Sequence, residues 1–334
     1  MPLPRAVFRF RHEYAYSMAL FWLGFILLVV LLLALDLGVF NKEAHVVTTA
    51  EALRWTSVWV TLSLLFSIFI YFAYENHWLG ESVHIHSGKK AVLTYLTGYL
   101  VEQSLSVDNI FVIAVIFTYF RIPAESQHRV LFWGILGAIV FRGLMIGVGV
   151  VLIENFSWIT YVFGAFLFYA AYQMLRSGEH DAVEIENNST VRLVKRLVPV
   201  TRSFYGSHFF IRKMGKRAAT PLFVALMVVE TTDVMFAFDS IPAIFAITTD
   251  PFLVFTSNIF AILGLRSLYF VLASVLDRFR YLRYSLVFIL AFVGFKMIAV
   301  HYVHLPEWLS LCVILLSLTA GIVPSLIEER KKTG

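Results

Sequence analysis

Apolar runs about 20 residues long, the length an α-helix needs to cross a hydrocarbon core of roughly 30 Å, alternate with short polar stretches along the whole chain. Nine such runs can be delimited: 16–35, 55–74, 91–118, 130–153, 158–175, 219–248, 252–276, 284–300 and 308–327. The pattern predicts an all-α polytopic membrane protein of about nine transmembrane helices, forming a single membrane domain over residues 1–334. The first run follows a basic segment, is long enough to span, and lacks a small-residue cleavage site. It therefore reads as a transmembrane helix and not as a cleavable signal.

Composition narrows the class further. With 59% hydrophobic and 15% charged residues and a mean hydropathy of +0.78, the chain cannot cover a soluble globule with a polar surface. Loop charge predicts orientation, because Lys and Arg are retained on the cytoplasmic side. Loops after odd-numbered spans, with the C-terminus, carry 19 Lys and Arg, against 5 for the N-terminus and the loops after even-numbered spans. The N-terminus is expected outside and the C-terminus in the cytoplasm, although Arg5, Arg9 and Arg11 pull the other way.

Residues 176–218 form a basic cytoplasmic loop in this scheme, opening acidic at Glu179, Asp181, Glu184 and Glu186 and turning basic from Arg192 to Arg217. Such a loop is better explained as an anchor against anionic lipid than as a nucleic-acid surface, so no nucleic-acid partner is expected. The single cysteine, Cys312, excludes an intramolecular disulfide and a thiolate metal cluster. It is expected to be a small core residue.

Chemistry concentrates in two spans. Glu102 and Asp108 lie six residues apart in the third, and Asp233 and Asp239 lie six apart in the sixth. Each carboxylate at bilayer depth costs about 2.5–3.5 kcal/mol on insertion scales, which marks such residues as functional. The match extends beyond the acids, with Asn109, Ile110 and Phe111 falling against Ser240, Ile241 and Pro242. An odd and an even span run in opposite directions, so the pair predicts an inverted-topology repeat with its substrate site near midplane.

The intramembrane ionisable groups number five acids (Glu102, Asp108, Glu230, Asp233, Asp239) and three bases (Arg142, Arg266, Lys296). A net charge of about minus two would match one divalent cation, and protonation of a carboxyl would equally remove it. At 100° per residue Glu230 and Asp233 share a face, while Asp239 joins it only if the helix unwinds near Ser240 to Pro242. The donors are oxygens from these acids with Asn109, Ser240 and Asn258, a set suited to hard cations such as Mg²⁺, Ca²⁺ and Mn²⁺. Spacing does not choose between the three. The histidine pairs His84/His86 and His301/His304 are expected near helix ends as residues that meet water.

Four stretches together resemble the TerC/Alx family of integral membrane proteins. They are Leu35 to Phe40, Glu102 to Phe111, Glu230 to Ala243, and Ser257 to Ser267. The resemblance covers about residues 11–327, with no departure at the motif acids. It implies a bacterial inner-membrane protein grouped with cation exporters of the lysine-exporter superfamily, with Mn²⁺ as the cargo and no permanently bound cofactor. Carried over residue by residue, it nominates Glu102, Asp108, Asn109, Glu230, Asp233, Asp239 and Ser240 as metal-handling. Arg142, Arg266 and Lys296 are expected to be counter-ions that stabilise the empty acidic site. Asp36 also matches the family, and is expected as a solvated residue closing the first helix.

The resulting expectation is a transporter for Mn²⁺ export and homeostasis, not an enzyme. The alternative is a membrane factor delivering Mn²⁺ to secreted proteins, with a secretion-machinery or exoenzyme partner. An intramembrane aspartyl protease is the weaker third option, because Asp108 and Asp239 lack the Gly-x-Gly-Asp context of such enzymes. No Walker A pattern is present to suggest ATP as the energy source.

Overall fold

A computed structural model describes residues 5–38, 47–79, 87–156, 158–176, 189–201, 203–213, 216–273, 281–299 and 306–333. The order is α1 (Arg5–Gly38), α2 (Thr49–Glu75), α3 (Gly88–Tyr119), α4 (Ala124–Asn155), α5 (Ile159–Arg176), α6 (Ser189–Leu197), β1 (Phe210–Lys213), β2 (Lys216–Ala219), α7 (Pro221–Phe245), α8 (Pro251–Leu263), α9 (Leu265–Ala273), α10 (Leu282–Ala299) and α11 (Glu307–Thr333). The chain is an all-α polytopic membrane protein, and among the described residues the one sheet is the two-stranded antiparallel pair of β1 and β2.

Every expected span finds a helix, yet the expected count of nine is not reached by length and composition. Among the described residues six helices are long and apolar enough to cross a membrane, or seven if α8 and α9, bent by 43° at Gly264, count as one span. The helices α5 and α10, each of 18 residues, fall outside that count. The basic segment expected as a loop is partly ordered: α6 buries Val191 and Val194 against the bundle while Arg192, Leu193, Arg196 and Leu197 face outward. Outward apolar and basic side chains on one short helix suit the boundary between acyl chains and phosphates.

Local chemistry fixes the ends of the helices that carry the site. Proline at the first helical position starts both α7 and α8, where its missing N–H is one the helix leaves unpaired anyway. Asp250 caps α8, its carboxylate accepting from the Phe252 and Leu253 N–H groups at 3.0 and 3.2 Å. The condition for Asp239 to join the face of Glu230 and Asp233, unwinding near Ser240 to Pro242, is not met, because α7 continues through Pro242 to Phe245. The helix therefore keeps Asp239 about 120° away from Asp233.

Of the six single-helix spans α3 is the most buried, with 62% of its apolar window inside the protein against 17% for α1. It packs on α8 and α7, and α4 packs on α7. Along α3 from Gly98 to Glu102 the neighbours on α7 run backwards, from Ile244 to Ser240, so these helices are antiparallel. Gly98 lies against Ser257 and Phe117 against Tyr269, which makes α3 parallel to α8 and α9. Gly137 lies against Glu230 and Gly149 against Phe245, which makes α4 parallel to α7. Exchanging α3 with α7, and α4 with α8 and α9, maps one parallel contact onto the other. An inverted pair of helical hairpins packs in this way.

Candidate cation site

Four helices bring polar side chains together where α3, α4, α7 and α8 meet. Close approach of α3 to α8 depends on Gly98, because a Cβ there would lie 2.9 Å from Ser257 Oγ and 3.3 Å from Ser257 Cβ. Small residues at such crossings let backbones approach where lipid offers no hydrophobic driving force. One turn further along α3 stands Glu102, fully buried, and Asn258 Nδ2 of α8 donates to its Oε2 at 2.9 Å.

The centre of the cluster is Arg142 of α4, only 1% exposed. Its Nη1 donates to Glu102 Oε1 and to Ser240 Oγ at 3.2 Å. Its Nε and Nη2 grip Asp233 in a fork, at 3.2 Å to Oδ2 and 3.1 Å to Oδ1. A planar guanidinium suits this double grip, which an ammonium could not make. Asp233 and Ser240 are seven residues apart, two turns of one helix face, so both reach the same guanidinium. The spacing of seven, not the spacing of six that first marks the motif, shapes the site.

Of the residues nominated from sequence, the structure gathers Glu102, Asp233 and Ser240 around Arg142. Asn109 is buried on α3, seven residues beyond Glu102. The Asp108 backbone belongs to α3 and its side chain lies outside the described residues. Glu230 is half-buried one turn before Asp233, pressed against Gly137, with its Oε2 buried and lacking a hydrogen-bond partner. Asp239 is half-buried on another face of α7. Among the described residues no three His, Cys, Asp or Glu side chains converge as a ready metal cluster.

The counter-ion assignments divide. Arg142 pairs with Glu102 and Asp233 of the two motifs, whereas Arg266 pairs with Asp36 and meets His128 Nε2 at 2.8 Å. Asp36 is accordingly not a solvated boundary residue: it is 6% exposed and ion-paired. Lys296 is buried on α10. Cys312, expected in the core, is exposed on α11. Both histidine pairs lie outside the described residues. The role of His128 carried no signal in the sequence, because it arises from a fold contact across 138 positions. Asn258 was visible only as one oxygen donor among several.

Residues 87–333 match the integral membrane protein TerC family. The chain belongs to the TerC family. It is 50% identical over 310 residues to an uncharacterised membrane protein of Myxococcus xanthus, with 92% of each chain covered. It is 47% identical over 296 residues to the putative membrane-bound redox modulator Alx of Escherichia coli, covering 88% of this chain and 90% of that one. An uncharacterised membrane protein of Rickettsia bellii is 41% identical over 308 residues, with 92% and 97% covered. No solved structure matches the chain. The family match takes in α3 to α11, and hence every residue of the Arg142 cluster.

Proposed function

We propose that this TerC-family protein is a divalent-cation transporter of the bacterial inner membrane, with Mn²⁺ as its cargo, N-terminus outside and C-terminus in the cytoplasm. The observation that carries the reading is the buried oxygen cluster of Glu102, Asp233 and Ser240, where antiparallel α3 and α7 meet. Its donors are hard oxygens from carboxylate and hydroxyl groups, joined by the Asn258 amide, and this chemistry suits Mn²⁺, Mg²⁺ and Ca²⁺. Preference for Mn²⁺ rests on the family resemblance.

The redox label of the Alx relatives fits a chain that changes metal supply. With one cysteine, a single copy cannot run a dithiol–disulfide cycle. In this proposal the redox effect follows from the level of a redox-active metal.

The test is export by cells and flux in sealed vesicles. Glu102→Gln and Asp233→Asn proteins made at normal levels should let cell manganese rise and sensitise cells to added Mn²⁺, and should move no Mn²⁺ in proteoliposomes. Unchanged tolerance and unchanged flux would remove the transport reading. Flux by purified wild-type protein, without any partner, separates direct export from delivery to a secreted protein.

A further inference from the structure

The guanidinium of Arg142 sits where a cation would have to sit. Its donors take Glu102 Oε1, both oxygens of Asp233 and Ser240 Oγ, which are the oxygens that the cation reading requires. From these contacts we infer that Arg142 is a tethered competitor of the transported ion. The arginine and the divalent cation alternate on one set of oxygens, and loading the ion expels the guanidinium. This rests on the transport reading above and adds to it a residue that sets how tightly cargo is held.

Charge and space both favour exclusion. Glu102 and Asp233 together carry two negative charges when ionised. A divalent cation alone neutralises them, whereas a divalent cation beside Arg142 leaves a surplus positive charge in a buried place. The vacated site has an additional ligand in waiting. Asn258 is fully buried, its Nδ2 is spent on Glu102, and its Oδ1 has no hydrogen-bond partner. An unpaired buried amide oxygen beside a carboxylate is unfavourable unless another state uses it. Coordination of a cation by Asn258 Oδ1 with Glu102, Asp233 and Ser240 supplies that use.

The expelled guanidinium also needs a carboxylate. Glu230 lies one turn back on α7 from Asp233, and its buried Oε2 is likewise unpartnered. Arg142 thus has two carboxylate neighbourhoods on α7, one at Asp233 when the site is empty and one at Glu230 when it is loaded. In the empty site Arg142 cuts the two carboxylate charges of Glu102 and Asp233 to a net of one, which lowers the cost of returning the unloaded site through the membrane cycle.

The experiment measures Mn²⁺ affinity by calorimetry on full-length protein in nanodiscs, with proteoliposome flux and thermal melting alongside. Arg142→Gln removes the competitor and should tighten Mn²⁺ binding about tenfold or more, since a site occupied by its own blocker binds in proportion to the unblocked fraction. Flux should fall, because the tighter ion leaves slowly and the empty site has lost its counter-charge. Glu230→Gln should weaken Mn²⁺ binding in the wild-type background and change nothing in the Arg142→Gln background, a pattern that a structural arginine would not give. A folded Arg142→Gln protein with unchanged or weaker affinity overturns the inference while leaving transport intact. If Arg142→Gln does not fold, Arg142→Lys, which cannot make the forked grip, should bind several-fold tighter, and equal affinity there overturns it too. Absence of Mn²⁺ binding by the wild type itself, with flux equal to Glu102→Gln, defeats the transport reading and this inference with it.

Discussion

Gly164 of α5 and Gly294 of α10 meet backbone to backbone: a Cβ built on either would lie 3.1 Å from the carbonyl oxygen of the other. The relationship is reciprocal, as it would be for two helices exchanged by a two-fold axis. A Cβ on Gly164 would also lie 2.5 Å from Ile298 Cγ1, so something must move to admit it.

Gly164→Ala is therefore expected to destabilise the protein by about 1–3 kcal/mol, the usual effect of overpacking a tight contact. Gly294→Ala, whose nearest neighbours stand at 3.1 and 3.2 Å, should cost less. The double variant should fall short of the sum, because helices already forced apart by the first methyl accommodate the second. Thermal melting in one detergent tests all three proteins. Wild-type melting of Gly164→Ala would show that the close crossing is not maintained.

Asp36 and Arg266 tie α1 to α9 through a buried ion pair, with His128 of α4 on the other side of the guanidinium. Removing one partner of a buried pair leaves the other uncompensated and costs about 3–5 kcal/mol, whereas replacing both with apolar residues of similar volume is near neutral. Asp36→Leu should lower the melting temperature strongly, and Asp36→Leu with Arg266→Met should recover most of the loss. Cation flux in the rescued double variant should stay near wild type, since the pair does not touch the Arg142 cluster. A double variant as unstable as the single one would mean that Arg266 has work beyond this pair.

Class, span positions and the helices that carry the site were legible in the sequence because burial in lipid imposes long apolar runs, and charged residues stand out within them. Glu102 and Asp233 stand out for that reason, and Ser240 through its match to Asn109. Their convergence on Arg142 was not legible, because it depends on packing between α3, α4 and α7 across 40 to 98 positions. The place of Asp239 relative to Asp233 hung on whether Pro242 breaks the helix, which a proline by itself does not decide. The helix tolerates the missing N–H and runs on to Phe245. Arg266 was expected as a counter-ion of the acidic motifs from its charge at depth and its place in the Ser257 to Ser267 stretch, while the fold pairs it with Asp36. Charge at depth locates a functional layer, but only packing decides which charges meet.

The hydrogen bond from Asn258 to Glu102 depends on how closely α8 can approach α3, and Gly98 sets that approach. A methyl at position 98 would lie 2.9 Å from Ser257 Oγ, one residue before Asn258, so α8 must retreat by a few tenths of an ångström. The Asn258 bond, 2.9 Å in the intact protein, would then lengthen and leave Glu102 Oε2 poorly paired. Loss of one such bond is worth about 1 kcal/mol, or about five-fold in an equilibrium or rate. Gly98→Ala should thus slow Mn²⁺ flux about five-fold with little change in expression. Adding Ser257→Gly, which removes both close atoms, should restore it. Asn258→Ala should give a similar loss that Ser257→Gly does not rescue. The three variants assayed side by side in proteoliposomes separate a spacing effect from a general fault, and full flux by Gly98→Ala would show that the contact between α3 and α8 does not govern the site.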